Sequence, residues 1–235
     1  LSQRTPQLSI IIPLAPSEQA WRDLLPDLLP LCKVAEVILS VPDKNFVVDL
    51  DSLVGTEFPV RVHETRLGRA FQMNGAAVVT KGEYLWILHA DSRLNKSTLQ
   101  SALNLSRSSE RSLYYFDLVY QNDGPRLTMI NLFFTHLRSR VFGLPFGDQG
   151  FLLSRDLFEE LGGFPEDCLY GEDHLFVWKA KHAGVKVQAA GSTIVTSARR
   201  YKQHGWLNTT LLHARRFIAQ LLPELLKSFT RGGKE

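Results

Sequence analysis

In the segment Tyr84–Ser92, YLWILHADS, a run of large apolar residues stops abruptly at His89 and Asp91. An ionised aspartate is an acceptor-only group, and one carboxylate plus substrate phosphate oxygens is a common way of holding magnesium or manganese. Asp91 therefore has two readings: a ligand of Mn2+ or Mg2+ that bridges to phosphate, or a cap for the helix announced by DSRLNKS. His89 precedes it by two residues, which on an extended chain puts both side chains on the same side. Its imidazole can ligate a metal, bond a ribose or serve the neighbouring backbone.

A second acidic group, Glu172 and Asp173, opens the segment GEDHLFVWKAKHAG. Negative side chains at a helix start are favoured by the helix dipole, and a carboxylate there, beside a crevice, is also placed to act as general base on an alcohol. Arginines recur near the same predicted strand ends: Arg66 and Arg69 before an alanine-rich stretch, Arg199 and Arg200 after VTSA. Singly each reads as a solvated side chain, and together they suit an anion, because the guanidinium presents a fixed fork of donors.

These groups need a scaffold, and the chain alternates strand and helix to build one. QLSIII reads as a first buried strand ending at Pro13, followed by a helix over about Glu18 to Leu31; AEVILSV and FPVRVHE read as the next strands. LGRAFQMNGAAVVTKG reads as a helix, YLWIL as a strand, Lys96–Ser109 as a helix and RSLYYFDLVYQ as a strand. The later part predicts a helix, a loop from Gly143 to Gly147, a short strand GFLLS, a helix from Glu172 to His182 and two short strands in VKVQAAGSTIVTSARR. Such alternation implies an α/β fold with a mainly parallel, Rossmann-like sheet and helices on both faces. Ligands of open α/β sheets bind beyond the carboxyl ends of strands, so the polar groups after SIIIP and after YLWIL would line one crevice.

Composition excludes several classes. The chain has 235 residues, 44% hydrophobic and 22% charged, enough for one large domain with an ordinary core. A net charge of +3 without a long basic run gives no argument for nucleic acid. Two cysteines, Cys32 and Cys168, suit a reducing compartment, and cytoplasmic placement is the expectation. No secretory cleavage pattern and no apolar run of about 18 residues is present. PLAPSE after the first strand lacks the glycines of a dinucleotide fingerprint, and no GxxxxGK followed by Ser or Thr occurs.

LSIIIP, GRAFQMNGAA, YLWILHADSRL, FGDQGFLLSRDLFEELGGFPE, GEDHLFVWKAKHAG and TSARRY occur in an order that resembles family 2 glycosyltransferases of the GT-A fold. More narrowly, it is similar to the bacterial branch known as radical-SAM/selenodomain-associated transferase 2, over roughly Leu8 to Trp206. The resemblance implies a metal-dependent transfer from a nucleotide-diphosphate sugar, inverting by direct displacement. HADS takes the place of the DxD motif, with Asp91 at its second aspartate and His89 at its first. Asp173 is then the base and Glu172 its neighbour. Asp148 and Gln149 lie on the acceptor side, and Arg69, Asn74, Arg199 and Arg200 are toward the donor diphosphate. Glu18 and Asp43 are counterparts of residues usual after the first two strands, both in altered surroundings (LAPSE and SVPDKN), and His204 is a candidate late metal ligand. The implied domain covers 1–206, with 207–235 a C-terminal helical extension.

In that extension Leu207, Leu211, Ile218, Leu222 and Leu225 recur at helical spacing among Arg215, Arg216, Lys227 and Arg231, with Pro223 positioned to kink it. Such a helix either covers the core or lies peripherally on an anionic membrane, which would suit a lipid-linked acceptor. Two competing functions follow from the same residues: a diverged sugar-nucleotide-binding protein without catalysis, motivated by His89 and the altered loops, and a nucleotidyltransferase, weakened by the absence of a glycine-rich loop after the first strand.

Overall fold

The computed structural model describes residues 7–42 and 59–232, so the expectation for Asp43 lies outside the described residues. Among the described residues seven strands form one sheet: β1 (Leu8–Pro13), β2 (Ala35–Val41), β3 (Val60–Glu64), β4 (Tyr84–Ile87), β5 (Ser112–Tyr120), β6 (Phe151–Ser154) and β7 (Lys186–Thr196). Their order is β3-β2-β1-β4-β6-β5-β7. β1 pairs in parallel with both β2 and β4, with Ile10 opposite Val37 on one side and Trp86 on the other. β6 is inserted antiparallel between β4 and β5, while β5 and β7 pair in parallel. This is the mainly parallel GT-A architecture expected from the sequence.

The helices are α1 (Trp21–Leu28), α2 (Arg69–Val79), α3 (Lys96–Leu105), α4 (Thr128–Phe142), α5 (Arg155–Glu160), α6 (Glu172–His182), α7 (Arg199–His204) and α8 (Trp206–Gly232). α1 and α3 close one face of the sheet, where Trp21, Leu24 and Leu99 pack with Ile10, Val37 and Trp86. α2, α5 and α6 close the other, where Met73, Phe158 and Phe176 meet Ile11, Leu85 and Phe151. β1 and β2 are buried along their whole length, as a strand covered on both faces must be, and this explains their unbroken apolar runs.

Local chemistry sets the helix ends that matter. Asn95 caps α3, its side chain accepting from Thr98 N at 3.0 Å. α6 begins after Gly171, held at φ 70° in the left-handed region, and carries Glu172 and Asp173 in its first turn and Lys179, Lys181 and His182 in its last, both ends matched to the dipole.

Two expectations change. The helix drawn from Glu18 begins at Trp21, because the Glu18 side chain is used to accept from Gln19 N and Ala20 N at 2.9 and 2.8 Å. The two strands expected in VKVQAAGSTIVTSARR are one, β7, whose register against β5 shifts between Tyr115 and Asp117, a bulge that breaks the alternation without ending the ladder. α8 runs on through Pro223. Its inner side packs Phe217 and Leu221 against the core cluster under α6.

Candidate functional site

The sheet order reverses at β1, whose neighbours β2 and β4 lead the chain in opposite directions, and the crevice beyond their carboxyl ends is where such a sheet opens. Gln72 braces this edge from α2: its amide, 3% exposed, donates to Leu14 O at 2.8 Å and Ser40 O at 2.7 Å. The loop after β1 brings Glu18, the turn after β4 brings His89 and Asp91, and α7 brings Arg199 and Arg200. Glu18 and Arg199 form an ion pair at 3.2 Å. Together with Ser17, Arg200, Gln203 and His204 they line a cleft of about 390 Å3.

Behind this cleft the carboxylates and arginines converge. Burial raises the Asp91 carboxyl, with Arg200 and Arg199 partly offsetting the effect. Burial also pushes Asp148 up, to about 6, against the pull of Arg138, with the negative charges of Asp173 and Asp91 adding to the rise. Asp148 Oδ1 is buried without a hydrogen-bond partner. Burial likewise raises Glu172, opposed by Arg69, which it meets at 3.0 Å. Glu18 behaves in the opposite way: burial would raise it, but the Ala20 and Gln19 amides and Arg199 outweigh that and hold it low. Three aspartates from three separate segments thus share one field, an arrangement that is costly for folding and typical of sites.

His89 is neutral here, its pKa pushed well down by burial first and by Arg69 and Arg200 second. Its Nε2 faces the Arg69 guanidinium, which also holds Glu172, so Arg69 ties the turn after β4 to the start of α6. In this arrangement the His89 Nε2 lone pair accepts from Arg69, so metal ligation by His89 through that atom would require Arg69 to move. Asp173 accepts from Gly147 N at 2.6 Å and from His174 N at 2.8 Å. A Cβ at Gly147 would come within 3.0 Å of Asp173 Oδ2 and 3.3 Å of Arg69, so only glycine lets this loop approach so closely.

Two expected contacts lie elsewhere. Asn74 spends its amide on the loop after α5, accepting from Phe164 N and donating to Phe164 O, both at 2.9 Å, and to Glu166 at 2.8 Å. It also lines a separate cavity with Arg155 and Phe158, and acts as a latch for that loop. Gln149, 1% exposed, donates to Phe116 O and accepts from Phe146 N, both at 3.2 Å; its neighbour Asp148 faces the site while Gln149 faces the core. His204 is exposed at the cleft rim, and among the described residues no group of three or more His, Cys, Asp or Glu could hold a metal alone.

One participant was not expected. Arg138, from α4, is half-buried within electrostatic reach of Asp148 and Asp173, with its guanidinium 3.4 Å from the Phe146 ring centroid, and desolvation lowers it to about 10. Tyr120 and Tyr201 feel the same aspartate, and burial raises both hydroxyls. No short-range signal marks Arg138, since its site partners come from β5 onward and from α6.

The Asp148 shift has a sign that can be checked. A carboxyl whose folded pKa is raised contributes stability below its unfolded value near 3.8, and loses it as pH rises through about 6. Asp148→Asn is therefore expected to raise stability at pH 8 by up to about 3 kcal/mol while changing it little at pH 3.5, measured by urea unfolding in metal-free buffer. Equal effects at both pH values would contradict the burial of this charge.

No family model and no curated protein matches the chain. Solved structures do. S. aureus TarS 1–349 is similar with a TM-score of 0.64 and 19% identity, over 81% of this chain and 60% of that one. The same protein in complex with UDP-GlcNAc gives 0.63 and 19%, over 81% and 58%. The mannosyltransferase PcManGT from Pyrobaculum calidifontis, in complex with GDP-Man and Mn2+, gives 0.60 and 18%, over 81% and 56%. The chain thus spans no more than 60% of the length of these structures, and the likeness is one of fold.

Proposed function

We propose that this chain is a family 2 type glycosyltransferase that moves a sugar from a nucleotide-diphosphate donor to an acceptor hydroxyl, with inversion by direct displacement. The observation that carries the reading is that Asp91, Asp148 and Asp173, from three segments, lie within electrostatic reach of one another and of Arg69, Arg138 and Arg200, beside the cleft beyond β1. Structures of the same fold bound to UDP-GlcNAc and to GDP-Man with Mn2+ support it.

In this reading Asp91 would hold Mn2+ or Mg2+ when the donor is bound. Its buried, hard oxygen donors next to two arginines fit a cation that arrives with its own anionic ligand. Bound there, the cation would neutralise charge on the departing nucleoside diphosphate. Arg199 and Arg200 bind that diphosphate from the cleft side, and Glu18 holds Arg199 in place. Asp173 takes the proton of the acceptor hydroxyl as its oxygen bonds the anomeric carbon and the carbon–phosphate oxygen bond breaks. Gly147 and His174 amides orient that carboxylate, and Glu172 does the same for Arg69. Asp148 lies on the acceptor side of Asp173.

The test is a panel of nucleotide sugars with and without Mn2+, read by nucleoside diphosphate release and by melting temperature. A donor that raises the melting temperature only with metal, and is consumed, is the expected result. If no donor shifts the melting temperature, the reading fails. The engagement of His89 with Arg69 favours one second reading, a sugar-nucleotide-binding protein without catalysis; stabilisation without turnover across a broad acceptor panel would select it.

A further inference from the structure

α4 and α8 run side by side in the same direction. Asn131 on α4 donates to Thr210 at 3.0 Å and accepts from Trp206, and about two turns further along both helices Arg138 lies 5.9 Å from the Phe217 ring. Parallel helices turn in the same sense, so the residues facing away from the core can be placed relative to these contacts. On α4 they are Met129, Phe133, Phe134 and Val141, between 59% and 65% exposed. On α8 they are Leu207, Leu211, Ile218 and Leu222, between 49% and 58% exposed. Both sets fall on one side of the pair, opposite the buried Thr128 and Ser139 of α4 and Thr209 of α8. The result is a continuous apolar face two helices wide, larger than the scattered apolar residues of an ordinary surface.

Along α4, and along α8 as far as Glu224, the charged residues have one sign. No Asp or Glu occurs between Asp123 and Asp148, nor between Asp173 and Glu224. Within those spans Arg126, Lys202, Arg215 and Arg216 are exposed. No helix among the described residues is long and apolar enough to cross a membrane. An apolar face rimmed by basic groups, on helices that cannot span, is matched by the headgroup and acyl boundary of an anionic bilayer. A second copy matches it less well, since a two-fold contact would bring the basic residues of both copies together with no acidic residue from these spans to pair them.

We propose that the α4–α8 face docks this protein on an anionic lipid bilayer. The inner side of α4 delivers Arg138 to Asp148, so docking would hold the crevice within about one helix diameter of the membrane surface, where a lipid-linked acceptor presents its head group.

The test is co-sedimentation with vesicles, without any donor sugar, so that its outcome is independent of transferase activity. The wild type is expected to bind vesicles of phosphatidylcholine with about 30% phosphatidylglycerol, and several-fold more weakly to pure phosphatidylcholine. The double variant Phe133→Ser, Phe134→Ser is expected to lose about tenfold or more in partition, while Val78→Ser, on an exposed apolar residue of α2 away from the face, keeps wild-type binding. Circular dichroism would show that both variants are folded. Equal partition onto neutral vesicles, equal loss in Val78→Ser, or a wild type that stays in the supernatant would overturn the proposal. So would a discrete dimer that the double variant breaks while vesicles bind neither form, which would assign the face to a second copy.

Discussion

Asp173→Asn is expected to lower kcat by about 100- to 10,000-fold while donor binding persists, because proton removal by a positioned base typically contributes that much. Both carboxylate oxygens are held, Oδ2 by Gly147 N and Oδ1 by His174 N. An asparagine keeps one acceptor and turns the other into a donor facing an amide, a change worth roughly 1–3 kcal/mol of stability. The measurement must therefore separate chemistry from folding: single-turnover rates on folded protein, beside donor-induced stabilisation. Turnover within about threefold of wild type would remove Asp173 from the role of base. Loss of donor binding together with rate would instead point to a structural part for the Gly147 loop.

Asp91→Ala is expected to abolish the metal-dependent part of donor binding. A ligand at a hundred times its Kd stabilises a protein by about 2.7 kcal/mol, and the wild type should show a shift of that order only when Mn2+ and donor are present together. The free variant should not be weaker than wild type. Burial raises the Asp91 carboxyl, so removing it relieves a desolvation cost and does not break a favourable pair. A missing shift then reports the metal site and not unfolding. Isothermal titration with donor, with and without Mn2+, provides the independent check, and an unchanged metal dependence would sink the assignment.

The placement of these two residues, beyond a strand end and at a helix start, was legible because their types are informative in context. An aspartate that ends a fully apolar strand, and an acidic pair that opens a helix closing in Lys179, Lys181 and His182, are written in local chemistry. The bounds of α6 follow from the same logic, since dipole-matched charges and Gly171 mark its ends within a few residues. The partners of Asn74 and Gln149 were illegible for the complementary reason. An amide in a motif reads the same whether it meets a ligand or a backbone, and only the fold shows that Asn74 clasps Phe164 and that Gln149 clasps Phe116 and Phe146.

The antiparallel insertion of β6 was equally hidden. FLLS is too short for its period to carry a direction, and its place between β4 and β5 is decided by which edges remain open once the parallel strands have formed.

By itself, the amino-acid sequence determined the α/β class, the buried strands β1, β2 and β4, the helix α6 and the two acidic positions, because periodicity and capping act over a few residues. Tertiary structure alone decided that Arg69 joins His89 to Glu172 and that Arg138 reaches Asp148. It also decided that the outer sides of α4 and α8 form one face. Each of these depends on segments far apart in the chain meeting at one distance and angle, and a contact of that kind has no local pattern to announce it.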